Sequence, residues 1–217
     1  MWGHSSVRPV QPGLRWLLFM LRNSILCSVG ALALVSCSPR DFLSRRLATD
    51  LISASDIFKT RQVYVVQTGV ISNQSNISPE SLVLQQHGWI APTRATCPPG
   101  LVPPPCWDVS LTPSGVDTVR GLVPAEETIK PSFAIPVARR EFVGVTGISQ
   151  QGSTADVDFI WRWVPLNEIG AALYTTDLHY RSTVAFREYD DGWRVVQGPL
   201  HSGQTLDDAL KNAEPVP

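Results

Sequence analysis

The sequence predicts an α+β fold: an N-terminal helix, a small helical middle and a C-terminal antiparallel sheet of about four strands. Three observations carry this. Apolar residues recur at helical spacing over residues 39–58, at Phe42, Leu43, Leu47, Leu51 and Ile52. The period drops to two over residues 154–164, where Val157, Phe159, Trp161 and Trp163 alternate with Asp156, Asp158, Ile160 and Arg162. Between these regions, residues 124–136 form a proline-punctuated connection.

The elements follow in order. After the first helix, Val63, Tyr64, Val65, Val66, Val70 and Ile71 are strand formers, so residues 62–71 predict extended chain. Ser78-Pro79 opens a second helix, with serine as cap and proline at the first position, and Gly88 stops it after His87. Trp89-Ile90 begins a strand, a proline-rich segment follows, and Trp107 to Leu111 is extended. Thr112-Pro113 opens another short helix reaching about Leu122. Beyond the connection, residues 140–148, 154–164, 180–189 and 193–197 read as strands of one meander. Asp191-Gly192 is its last tight turn. A short helix or loop over 165–173 interrupts the meander, and one helical turn is expected beyond Thr205.

The first 36 residues are of a different kind. They contain Arg8, Arg15 and Arg22 and no acid, and an apolar run follows over residues 25–35. A positive flank, a short apolar core and small residues before a cut are the parts of a secretory signal. The run is short of the ~20 apolar residues that a spanning helix needs. It ends in Leu34-Val35-Ser36-Cys37. This resembles the lipobox of bacterial lipoprotein signal peptides, a resemblance that covers residues 20 to 37. It implies that Cys37 carries a diacylglycerol on its thiol, is the first residue of the mature chain, and is acylated at its new amino terminus. Met20 is the only methionine besides Met1, and a start there gives a compact signal of ordinary shape. Several acyl chains, at ~0.8 kcal/mol for each buried methylene, give lasting attachment. Ser38 follows the cysteine. In the family, serine there implies an outer-membrane address facing the periplasm wherever the envelope has two membranes.

The expected organisation is therefore a signal peptide over 1–36, a lipidated N-terminus with a helical region over 37–123, the connection over 124–136, and an antiparallel region over 137–217. Three of the 18 basic residues and none of the 19 acidic ones precede Cys37, so the mature chain has four acids in excess. That balance opposes nucleic acid, which calls for a basic stripe. Cys27 leaves with the signal and Cys37 takes the lipid, which leaves Cys97 and Cys106 as a pair in an exported domain. An oxidising compartment predicts that they close a disulfide across a stiff proline loop. With no histidine nearby, a metal site between them lacks ligands.

The arrangement of residues 79–122 faintly resembles a winged helix, and is similar in layout to poorly characterised envelope lipoproteins. A curved sheet wrapped on a helix, of the cystatin or nuclear-transport-factor kind, is one arrangement compatible with the element order. Fold of this kind does not fix function.

Catalytic signatures are missing from the sequence. No G-x-S-x-G elbow, H-E-x-x-H pair or phosphate-cradling glycine loop occurs, and His87, His179 and His201 have no partner at ligand spacing. No catalytic residue, metal ligand or cofactor is expected, and an enzyme is the least supported class. The aromatic row is either core or the wall of a pocket. Trp161 and Trp163, with Arg162 and Arg187, are the candidate ligand or partner surface. Two function classes remain besides the membrane anchor. One is a non-catalytic envelope lipoprotein that binds a protein or cell-wall partner. The alternative is a domain that binds a small apolar or anionic molecule. A filled core with an exposed apolar patch favours the first, and a cavity lined by Trp161 and Trp163 the second.

Overall fold

A computed structural model of the chain describes residues 42–100, 104–196 and 205–216. The residues read above as a signal peptide, Met20 among them, and the Cys37 that follows them lie outside the described residues, as does His201. Among the described residues no helix is long and apolar enough to cross a membrane.

Strand dominates, at 46% of the described residues against 29% helix. The elements in chain order are α1 (Arg45–Ser53), α2 (Asp56–Lys59), β1 (Arg61–Gln67), β2 (Gly69–Ser72), α3 (Asn73–Asn76), α4 (Pro79–Gln86), β3 (Ile90–Ala95), β4 (Cys106–Leu111), α5 (Pro113–Val119), α6 (Ala125–Thr128), β5 (Ser132–Gln151), β6 (Thr154–Pro165), α7 (Glu168–Leu173), β7 (His179–Tyr189), β8 (Gly192–Val195), α8 (Leu206–Lys211) and β9 (Glu214–Val216). A six-stranded sheet runs in the order β1-β5-β6-β7-β8, with β9 also paired to β7, and a three-stranded sheet runs β2-β4-β3. All the strand pairs are antiparallel.

This corrects the expected fold class. An α+β division into a helical first half and a four-stranded second half does not hold. The meander β5 to β8 is joined by β1, from the first half of the chain, and by β9. The middle is not a helical region: it is a three-stranded sheet flanked by α4 and α5. The single N-terminal helix over 39–58 is also replaced. Ser44 caps α1, its Oγ accepting the Leu47 N–H at 3.2 Å, and the chain leaves the helix at Ser53 before α2 begins. The physical reason is long-range pairing. Local periodicity reports whether a segment is amphipathic, but which strands share a ladder is decided by distant partners.

β5 is the spine of the molecule. Its first half pairs with β1, from Gln67↔Ser132 to Arg61↔Arg139, and the remainder pairs with β6 from Ala138↔Pro165 to Gln151↔Thr154. Its alternate faces feed two separate cores. Phe133, Ile135 and Val137 are buried with Val66 of β1, under Leu84 of α4, Val119 of α5 and Ile169 of α7. Adjacent to Val137, Ala138 is equally buried on the other side of the strand. On the second core's face, Val157, Phe159 and Trp161 of β6 and Val184 and Phe186 of β7 pack against Ala48 and Ile52 of α1, Phe58 of α2, and Leu206, Ala209 and Leu210 of α8. Register shifts near Val143 and Thr146 give β5 extra residues relative to β6, the arrangement that bends and twists a strand. Arg45 of α1 donates to the carbonyls of Val145 and Thr146 at 3.3 and 3.0 Å, which ties the first helix to that bend. The stretch 124–136, read from sequence as a connection, holds α6 and the opening residues of β5.

Candidate functional site

The structure disperses the sequence-derived surface of Trp161, Trp163, Arg162 and Arg187. Trp161 is 2% exposed and belongs to the core, its Nε1–H donating to Ser182 Oγ at 3.0 Å. Trp163 is half-buried at the margin of that core. Arg162 lies on the opposite face, where both its Nε and a terminal nitrogen reach Glu141 Oε2 at 2.6 Å. Arg187 shares that outer face but stands at the far end of the strand pair, opposite Thr154, and packs over the Tyr189 ring. The outer face is thus a solvated surface of separated charges, and the two tryptophans lie behind it.

The tryptophans have different company. Trp161 stacks on Tyr180 at 4.7 Å and meets Trp163 edge-on at 5.4 Å, and Trp163 packs against Tyr174 at 4.8 Å. Arg140, opposite Trp163 in register, lays its guanidinium 4.7 Å over the Trp163 ring and 5.7 Å over that of Trp161. Its Nε is buried without a hydrogen-bond partner, and among the described residues its side chain forms no ion pair. Burial weakens its hold on the proton, and Asp207 and then Tyr174 partly offset this. From sequence, Arg140 was one of six arginines of the second half, with Arg139, Arg162, Arg181, Arg187 and Arg194, that could share a sheet face as an anion patch or lie on a solvated face; its place over the aromatic row follows from the register of β5 with β6.

Cys97 and Cys106 form a disulfide, closing the loop that leaves β3 and returns through β4. Residues 101–103 of that loop lie outside the described residues. Among the described residues, no three histidine, cysteine or acidic side chains converge as a metal site would require.

A second feature lies at the free edge of the large sheet. Among the described residues, β1 pairs with β5 alone. On its outer face Val63 and Val65 are 45% and 50% exposed, opposite Pro136 and the exposed Ala134 of β5. The Tyr64 and Val66 side chains point the other way, toward a cavity of about 240 Å³ between β1 and α4. Four consecutive residues of β1, Tyr64 to Gln67, line it, so the strand presents its backbone edge as well as one face. Leu84, Ile90 and Ile71 give apolar walls, and Ser75, Ser78 and Ser81 give hydroxyls. Burial, and then the charge of Glu80, push the Tyr64 phenol above its ordinary range. The strand itself was legible in the sequence, as a run of four strand formers, Val63 to Val66, but its place at the edge was not.

Comparisons with family models, with curated proteins and with solved structures gave no match.

Proposed function

We propose that this chain is a membrane-anchored, non-catalytic lipoprotein of the cell envelope whose folded domain binds a protein partner. The anchor rests on Leu34-Val35-Ser36-Cys37, with its resemblance to a lipobox. The observation that carries the binding function is the contrast between two apolar surfaces. The aromatic row is consumed in the core, with Phe159 and Trp161 inaccessible, whereas Val63 and Val65 stand exposed on a strand that has a free edge. Contiguous exposed apolar surface on a sheet edge is a feature that proteins otherwise suppress, and where it persists it marks interaction. The cavity beside it lies below the ~300–1,000 Å³ of small-molecule sites.

Two measurements test this reading. Palmitate labelling of the expressed protein is expected to disappear in Cys37→Ser; retained label rules out the anchor. Crosslinking in the native envelope is expected to yield one dominant protein, lost when Val63 and Val65 are both changed to Ser. Crosslinks indifferent to those changes refute the surface.

A second reading, a small anionic ligand, has one observation in its favour. Arg140 is a half-buried cation held against Trp163, with its Nε buried and lacking a hydrogen-bond partner. Stabilisation of the protein by small carboxylates or phosphates, abolished in Arg140→Met, would move the assignment to that site.

A further inference from the structure

We propose that β1 receives an extended peptide segment of the partner protein as an added strand, with one of its apolar side chains seated in the cavity between β1 and α4. The inference rests on the protein-binding reading and specifies its chemistry.

The hydrogen-bonding direction of β1 follows from its register. Thr68, just past the strand, donates its N–H to the Pro131 carbonyl at 2.8 Å. Antiparallel ladders alternate, so Val66 and Tyr64 direct their main-chain groups toward β5, and Val65 and Gln67 direct theirs to the free edge. Among the described residues, no hydrogen bond engages the N–H or C=O of either residue. An extended peptide supplies the complementary row of donors and acceptors, the mode of recognition in which main-chain bonds give affinity and side-chain pockets give specificity.

Side-chain alternation sets the partner's sequence. A residue whose side chain falls on the Tyr64–Val66 side enters the cavity against Leu84 and Ile90, and its neighbours on either side lie beside Val63 and Val65. The partner segment is therefore extended and apolar on both faces at its centre. α4 walls the cavity opposite β1, through Ser81 and Leu84.

The test uses the full chain in detergent micelles and a displayed library of random octapeptides. Enriched peptides are expected to share a small branched apolar residue flanked by apolar neighbours, and to weaken at least tenfold on Val65→Pro. That substitution removes one outward-facing N–H and no ladder bond, a position where an edge strand tolerates proline. In case the variant unfolds, the peptides themselves are altered. N-methylation of the amides that face β1 is expected to abolish binding, and methylation of the alternate amides to leave it unchanged. No enrichment, or binding insensitive to both changes, overturns the inference. So does self-association of the chain that Val65→Pro abolishes. An envelope protein that still crosslinks through Val63 and Val65 while no peptide binds overturns strand addition and leaves the protein-binding reading standing. Loss of both results removes both.

Discussion

Changing Gly170 to Ala sets two effects of opposite sign against each other. Gly170 lies inside α7, and a Cβ there would sit 1.8 Å from the Val137 carbonyl oxygen and 2.8 Å from its carbon. Contacts under 3.0 Å are essentially never seen, so the helix must retreat by more than an ångström from the backbone of β5. Two hydrogen bonds hold the segment in place: Leu166 N–H donates to that same carbonyl at 2.9 Å, and Asn167 Nδ2 donates to Pro136 O at 2.7 Å. Loosening both costs about 1 kcal/mol each. Overpacking against a rigid partner adds about 1–3 kcal/mol. In the other direction, alanine is favoured over glycine in a helix by about 1 kcal/mol. Packing wins, and the net loss is about 2–4 kcal/mol. For a chain of this size that corresponds to a drop in Tm of about 4–16 °C. Thermal and urea unfolding followed by circular dichroism measure it. Gly144→Ala is the control, because a Cβ there has nothing within 4 Å. A Gly170→Ala protein as stable as the parent would show that helix propensity outweighs the approach to Val137, and the docking argument would be wrong.

Three further outcomes are expected. Replacing Cys97 and Cys106 by serine together should lower stability by about 2.7 kcal/mol, the loop-closure entropy of a cross-link that spans nine residues, read as a lower urea midpoint; an unchanged midpoint would mean that the loop is already restricted in the unfolded chain. Trp161→Phe leaves the buried Ser182 hydroxyl without its donor, a loss of about 1–3 kcal/mol, and adding Ser182→Ala should recover part of it; a double variant no more stable than the single one would deny the bond that role. Tyr64 and Tyr174 are both held above the ordinary phenol value of 10.0, by burial first and then by Glu80. The unfolded chain therefore releases these protons first. The stabilisation is complete below pH 10 and is lost as pH climbs through the raised values. The fall in Tm between about pH 8 and pH 10.5 should be smaller in Tyr64→Phe, and an equal fall would mean that Tyr64 titrates normally.

Much of the local structure was legible in the residues. Ser78-Pro79, Thr112-Pro113 and Thr205 open α4, α5 and α8, with each hydroxyl accepting a main-chain N–H in the first turn. The alternation over Val157, Phe159 and Trp161 gave β6 and its buried face, and Asp191-Gly192 gave the turn from β7 to β8. These features depend on neighbours a few residues apart, so short-range chemistry decides them. The disulfide was legible for another reason: once export is assumed, two cysteines nine residues apart have no other partner.

The candidate site was legible only in parts. Val63 to Val66 read as strand, but nothing local says that Val65 lies at an edge or that Val66 is buried. Arg140 gave no sign that it would cover Trp163. Both depend on β5, whose first half pairs with β1 and whose second half pairs with β6, and which buries the consecutive residues Val137 and Ala138 where the two pairings meet.

By itself, the sequence determined the helix caps, the turn residues, the apolar face of β6 and the pairing of Cys97 with Cys106. Only the tertiary structure decided that six strands form the large sheet, that the middle is a second sheet, that the aromatic row is core, and that β1 is left with an open edge. The first set is written in contacts between near neighbours and in chemistry that does not depend on the fold. The second depends on which distant segments bury each other's surface, and one strand can satisfy its local pattern equally well beside several partners.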